Sequence, residues 1–486
     1  MTLLTTVFPV FVAVAIVMPA RDAHLQFEKW GREYGPVYSL ILGTKTLIVL
    51  SSDKAVKDLL DKKSNMYSHR QEMYIGQTLC SGDLRVLMMG YDARWRMCRK
   101  LVHTLLNISA AKSYVPYQML ENKQMLYDMI TQPERCMYNI RRYTNSLTTT
   151  MVFGWRSSAY EDEKMMQLFE GFSEFAELNQ TGLAALVDFF PWFPYLPDFL
   201  LPVRAKAKEL HRKEKGLYLG HWLKAKEETK AGTIMRCFSE DLVGAQKTEG
   251  FSDDQASYIT GTLLEAGSDT TSSTLYAFVQ AMVLYPDVQK KAQAEIDRVV
   301  GPNRMPTMDD EHNLQYIRGI VKESLRWMPT TIMGAVPHAA TQDDWYDGHL
   351  IPAGAGVVNN VWAINTDPAR HPDPRRFDPA RLPRTTARAW PTPPPPTRTR
   401  AGATNFTFGA GRRICPGIPR RRTQPGGLTQ EFVCQSVGFA VAITPRSEAR
   451  RRIVVEEWLA AERDRLDPFT KQWRVSPLAG GGARKG

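Results

Sequence analysis

The stretch Phe408-Gly409-Ala410-Gly411-Arg412-Arg413-Ile414-Cys415-Pro416-Gly417 sets one cysteine in a loop of glycines and arginines. Thiolate is the form of cysteine that binds metal, and flanking arginines with exposed backbone N–H groups lower a thiol's pKa and keep the anion available. Cys415 therefore reads as an iron ligand. Gly411 and Gly417 would let the backbone approach a flat cofactor and turn away, where a Cβ would collide. Arg413 is placed to pair with a carboxylate of that cofactor. Two alternatives stand beside this reading: a core cysteine, and a phosphate cradle. The cradle calls for Gly-Lys-Ser/Thr at a helix start, which is absent.

Working outward, the 486 residues allow several domains on length alone. The residues needed for a single site run from Trp95 to Gly417, which argues for one. Six scattered cysteines (Cys80, Cys98, Cys136, Cys237, Cys415, Cys434) show no paired spacing, so no disulfide framework is implied and a reducing compartment fits. The net charge of +11 suggests nucleic acid or a membrane surface until it is located. Residues 379–430 hold ten arginines and no Asp or Glu, so the surplus lies beside Cys415. That fits a face that steers an acidic partner, not a nucleic-acid site.

Residues 2–18 carry no charge and predict a membrane anchor over residues 1–18, a cleaved signal peptide being the competing reading. The spacing then predicts a helix over 22–34, a hairpin of 37–42 and 46–50, and a helix over 53–62 capped by Ser52. Residues 186–202 (LVDFFPWFPYLPDFLLP) are too broken for a regular helix and greasy for a surface loop. They read as a membrane-dipping entrance loop or as a core-packing loop. A charged helix follows over 204–230. The expected architecture is mainly α with small β-sheets gathered at one side, an α+β body.

Three further sets of residues carry chemistry. In a helix over 92–107, Trp95 and Arg99 lie four apart and share a face, where an indole N–H and a guanidinium suit one carboxylate. Ser252 with Gln255 predicts a capping box opening a helix that reaches Leu284. Its centre, Ala266-Gly267-Ser268-Asp269-Thr270-Thr271, places glycine and an acid where propensity disfavours them. Small residues at 266 and 267 leave room for a small ligand, Thr270 is poised to hydrogen-bond a carbonyl or that ligand, and Asp269 to relay protons. A kinked helix with a satisfied polar pair is the alternative. On a helix over 313–328, Glu323 and Arg326 share a face and predict a pair.

The pattern Phe408-x-x-Gly411-x-Arg413-x-Cys415-x-Gly417 resembles the haem-binding loop of the cytochrome P-450 family. Trp95-x-x-x-Arg99 resembles that family's haem-propionate pair, Ala266 to Thr271 its oxygen-activation motif, and Glu323-x-x-Arg326 its Glu-x-x-Arg motif. The resemblance covers most of residues 22–378 and the cysteine loop, in the manner of fungal secondary-metabolite members. It implies a triangular helical prism around haem b, a catalytic domain over 22–478, and Cys415 as axial thiolate. It makes Thr270 and Asp269 catalytic and places Trp95, Arg99, Arg413, Phe408, Gly411 and the cation His338 on the cofactor. Arg376, in Pro374-Arg375-Arg376-Phe377, would complete the Glu323–Arg326 pair. It further implies oxidation of a lipophilic small molecule with O2, electrons from NADPH through a separate cytochrome P-450 reductase, and residence in the endoplasmic reticulum membrane facing the cytosol.

The sequence departs from the family in three places. The usual Pro-Pro-Gly-Pro hinge after the anchor is missing. Residues 387–403 form an irregular Pro/Arg-rich insert with no core-building composition. Residues 418–427, where the family has a long helix, hold two prolines, two glycines and no apolar period. These departures keep a catalytically impaired remnant in view, beside a haem-thiolate isomerase or dehydratase that needs no reductase.

Overall fold

In the computed structural model, residues 12–13, 22–106, 113–180, 187–190, 192–381, 406–416 and 441–476 are described. The expected anchor therefore lies outside the described residues except for Val12 and Ala13. Those two form a strand, β1 (Val12–Ala13), rather than part of a helix. Gly417, the insert at 387–403 and the altered segment 418–427 also lie outside them. No helix among the described residues is long and apolar enough to cross a membrane.

The small sheet forms where the alternation predicts it. In β2 (Val37–Leu42), Tyr38, Leu40 and Leu42 are buried and the residues between them half-exposed. β3 (Lys45–Leu50) pairs antiparallel with it, so the connecting turn is Gly43-Thr44. β3 is buried from Leu47 to Leu50 because it lies mid-sheet. The order is β1-β2-β3-β8-β5-β4, with β4 (His69–Arg70), β5 (His338–Ala339) and β8 (Gly356–Asn359). A hairpin of β6 (Asp344–Tyr346) and β7 (His349–Ile351) stands apart. The sheet thereby sets Arg70 opposite His338, residues 268 positions apart.

The helices fill the rest. They are α1 (Ala23–Tyr34), α2 (Ala93–Leu106), α3 (Val115–Thr131), α4 (Cys136–Phe153), α5 (Glu163–Gln180) and α6 (Pro202–Ala231). Then come α7 (Phe238–Glu249), α8 (Asp253–Leu284), α9 (Pro286–Val300), α10 (Gln315–Trp327) and α11 (Glu448–Arg465). The helix expected over 53–62 is α-helical to Val56 and π-helical from Lys57 to Lys62. After β8 the chain turns into a short helix, Val361–Asn365, capped by the Asn360 side chain.

α8 is the spine. Its 32 residues are buried on most sides, and at about 1.5 Å per residue it spans on the order of 48 Å. Ser252 caps it by accepting from the Gln255 N–H at 3.1 Å. The reciprocal half of the expected capping box is not made, because Gln255 Nε2 points to Cys98 Sγ at 3.6 Å. α4 packs against it closely at Gly267, where a Cβ would stand 2.5 Å from Thr148 Oγ1.

Candidate active site

The cysteine loop is held by two neighbours. Thr407 Oγ1 donates to the Leu325 carbonyl at 2.9 Å, and Thr331 Oγ1 donates to the Thr407 carbonyl at 2.9 Å, which ties the loop to α10. On the other side the Gly411 N–H donates to Asp61 Oδ1 at 2.6 Å. Gly411 has φ +61°, and a Cβ there would run into the Leu60 carbonyl. Its glycine therefore serves packing against residues 57–62. The Cys415 N–H donates to the Phe408 carbonyl at 2.8 Å, closing the loop, and the Cys415 side chain is exposed.

Beside this loop cations gather. Asp92 Oδ1 caps α2 at the Trp95 N–H, 2.7 Å away, and this turn presents Trp95 and Arg99 together. Arg413 lies over the Trp95 ring at 4.0 Å, and Arg99 sits 6.0 Å from the same ring. Arg413 donates to the carbonyls of Ser68 at 2.8 Å and Met89 at 2.6 Å. Arg99 donates to the Ile414 carbonyl next to Cys415. Burial lowers the Arg99 pKa, and attraction to Cys415 opposes it, which sets guanidinium and sulfur within each other's field.

Arg70, missed in the sequence, completes the group. It is fully buried in β4, donates to the Val336 carbonyl, and leaves Nε without a partner. Burial alone pulls it down to about 10. Burial, then Arg70 and Arg99, pull Arg413 down to about 8. Among the described residues none of these three arginines has a carboxylate within ion-pair distance. A lone Arg beside a His in a two-residue strand carries no periodic or spacing signal. Only the sheet register reveals it.

His338 is buried in β5. Its Nδ1 meets the Tyr67 carbonyl at 2.7 Å, and burial followed by Arg70 holds it well below the usual imidazole range. Arg70 stands opposite it in the sheet, a second basic side chain on the same side. The arginine cluster fits a flat cofactor bearing two carboxylates, since like charges so placed are costly until anions join them. Trp95, Arg99, Arg413 and Arg70 are the residues that would hold those carboxylates, and Cys415 is the thiolate donor that would face the metal.

On α8, Ala266 is exposed within a buried stretch, and the Thr270 hydroxyl donates to its carbonyl at 2.5 Å. These two share one face. Asp269 is buried on the adjacent face, within the field of Arg141 on α4. Gly267 faces Thr148, so of the two small residues only Ala266 leaves space.

The Glu323–Arg326 pair is fully buried, with Nε to Oε2 at 2.8 Å and a second bond at 2.7 Å. Arg326 also donates to the Asn365 carbonyl at 3.0 Å. The expected third member is not the Arg376 side chain, which is exposed and contributes only its carbonyl, 3.4 Å from Arg326. Arg381 takes that place, 3.4 Å from Glu323 Oε1, beside the Asp378 N–H at 3.0 Å. The sequence contained the signal: Pro379-Ala380-Arg381 repeats the Pro-x-Arg spacing of Pro374-Arg375-Arg376.

Comparison with known proteins gives the family and the fold. The family model described as Cytochrome P450 matches residues 4–419. The chain is 46% identical over 474 residues to the cytochrome P450 monooxygenase virE of Hypocrea virens, covering 91% of this chain and 85% of that protein. It is 41% identical over 495 residues to fogE of Aspergillus ruber, a protein of the same description, covering 95% and 89%. In three dimensions it resembles a zebrafish cytochrome P450 solved with progesterone, with a TM-score of 0.65 at 24% identity over 81% of this chain and 87% of the other.

Proposed function

The chain belongs to the cytochrome P450 family, whose fold and chemistry imply haem with a cysteine thiolate and oxygen-incorporating oxidation of small molecules, and from that premise we propose a division of labour among its residues. Cys415 would hold the haem iron through its thiolate. Arg70, Arg99, Arg413 and Trp95 would hold the two propionates, and His338 would keep Arg70 in register. The observation that carries this reading is the set of arginines beside the cysteine loop without carboxylate partners.

When bound, haem supplies the activation of dioxygen. The protein's part is binding and proton handling. Thr270 shifts its hydroxyl proton from the Ala266 carbonyl toward the space beside Ala266. Asp269, held on the neighbouring face near Arg141, takes a proton from solvent on turning away from the arginine and passes it to the Thr270 oxygen as Thr270 gives up its own. Electrons arrive from NADPH through a separate flavoprotein reductase, and the arginine-rich sequence 379–430 suits an acidic docking face.

The substrate is a lipophilic small molecule of fungal secondary metabolism, a reading supported by the kind of relatives found. Attachment to the endoplasmic reticulum membrane, facing the cytosol, is supported by the uncharged residues 2–18 and by the apolar loop at 192–200. In that loop Tyr195 is 88% and Phe199 81% exposed.

Reduction under carbon monoxide tests the site. A strongly red-shifted Soret band is expected for the intact chain, and Cys415→Ser should abolish it. A second reading, a chain that holds haem only loosely, is favoured by the exposure of Cys415. It predicts that the band fades on dilution.

A further inference from the structure

A second buried ionic group lies away from the cysteine loop. Arg85, in the segment 80–92, donates to both oxygens of Glu265 on α8 at 2.7 and 2.6 Å and to Glu214 Oε2 on α6 at 2.5 Å. Its Nε meets Ser81 Oγ at 3.0 Å, and its guanidinium lies 4.1 Å from the Phe175 ring on α5. Tyr218 donates to Glu265. Arg85, Glu214 and Glu265 are all buried.

The two helices are cut to fit this group. His211, Glu214 and Tyr218 fall at i, i+3 and i+7 on one face of α6. Tyr258, Gly261 and Glu265 repeat that spacing on α8. Gly261 admits the Tyr218 ring, which would lie 2.5 Å from a Cβ. His211 Nδ1 meets Tyr258 Oη at 2.8 Å. The segment 80–92 closes onto both faces, with Gly82 (φ +54°) packed under the His211 ring.

Two carboxylates thus share one guanidinium. Glu214 Oε1 has no hydrogen-bond partner, so a proton there breaks no existing bond. The other titratable groups do not balance the charge. Lys215 is bound to Asp254 at 2.6 Å and Lys213 to Glu174 on α5 at 3.0 Å. Burial holds His211 below its ordinary value, raises Tyr218 and Tyr258, and pushes the Cys80 thiol up to about 12.

We propose that Arg85, Glu214 and Glu265 form a proton-dependent clamp that holds the segment 80–92 against α6 and α8, closed while the two carboxylates keep one proton between them and loosened when both ionise. Its reach extends to the cofactor side. The N–H groups of Met88 and Met89 donate to the Arg85 carbonyl at 3.0 and 3.2 Å, and the Met89 carbonyl receives Arg413. Glu265 immediately precedes Ala266. Arg85 is therefore a positioning residue for Arg413 and for the face of α8 that carries Thr270. The clamp does not depend on which cofactor is bound.

Burial, against the opposing pull of Arg85 and with Glu265 adding to it, pushes the Glu214 carboxyl up to about 8. A carboxyl raised in the closed state stabilises that state at low pH and loses the effect as pH rises through the raised value. Hydrogen–deuterium exchange of the full-length holoenzyme, corrected for intrinsic rates, reads this at the amides of Leu84, Met88 and Met89. From about pH 5 to about pH 10, opening should rise toward tenfold per pH unit, the slope of a single proton, between the ordinary carboxyl range and the raised value, and level off above it. Glu214→Gln should keep the segment protected across the range, and Glu265→Gln, which leaves one carboxylate to Arg85, should also flatten the profile. A flat wild-type profile, or an unchanged slope in a folded Glu214→Gln protein, would overturn the clamp. The wild-type titration decides the matter even if neither variant folds.

Discussion

Burying the Arg70 guanidinium with Nε unpaired and Arg413 nearby costs the cofactor-free fold on the order of several kcal/mol. The same charge gains a charge-assisted bond of about 1.5–3 kcal/mol when an anion is supplied. Arg70→Met should therefore raise the melting temperature of the haem-free protein while weakening haem binding by roughly ten- to a hundredfold. Haem titration followed by the Soret band, beside a thermal melt of the apoprotein, reads both signs. A fall in both quantities would make Arg70 merely structural. Thr270 tests the other side of the site. Its hydroxyl leans on the Ala266 carbonyl. Thr270→Ala should cut product per NADPH consumed about tenfold or more, with haem content and carbon monoxide spectrum unchanged.

At the scale of elements, the cysteine loop is only as well placed as the two pieces that grip it. Gly411 and Gly409 both have positive φ, yet only Gly411 abuts a backbone carbonyl, that of Leu60. Gly411→Ala should cost upwards of about 3 kcal/mol, and Gly409→Ala, which meets nothing closer than 3.9 Å, about 1 kcal/mol. Urea midpoints distinguish them. The Glu323–Arg326 pair makes a parallel contrast, because Arg381 reaches Glu323 and the Arg376 side chain lies in water. Arg381→Gln should destabilise by about 1–3 kcal/mol, whereas Arg376→Gln should stay within about 0.5 kcal/mol. Equal effects would return Arg376 to the role its local spacing suggested. Both contrasts show why sequence reading stopped where it did. Spacing revealed that a glycine or an arginine was special, but which neighbour made it special depended on residues 57–62 meeting Gly411 across 350 positions and on Arg381 reaching back 58 positions to Glu323.

Over the whole molecule, the elements set by local period were legible: the helices around Trp95 and Glu323, the hairpin of β2 and β3, and the long α8 with its odd centre. What long-range register decides was not, as with Arg70 beside His338, or Arg85 between α6 and α8. The loop at 192–200 lies between these cases. Its composition announced an unusual surface, and the fold sets Trp192, Tyr195, Phe199 and Leu200 outward together. Other exposed apolar residues, such as Leu459 and Phe469, stand on α11 and just past its end. A ring moved from water into lipid gains about 1.5–3 kcal/mol. If the loop is an entrance edge resting in a bilayer, lipid vesicles added to the full chain should slow amide exchange at Tyr195 and Leu200 by roughly tenfold or more while leaving Leu459 and Phe469 unchanged. Tyr195→Ala/Phe199→Ala should erase that local protection even where residues 1–18 keep the chain on the vesicle. Protection that persists in the double variant would mean that the loop is shielded by something other than its own aromatic rings in lipid.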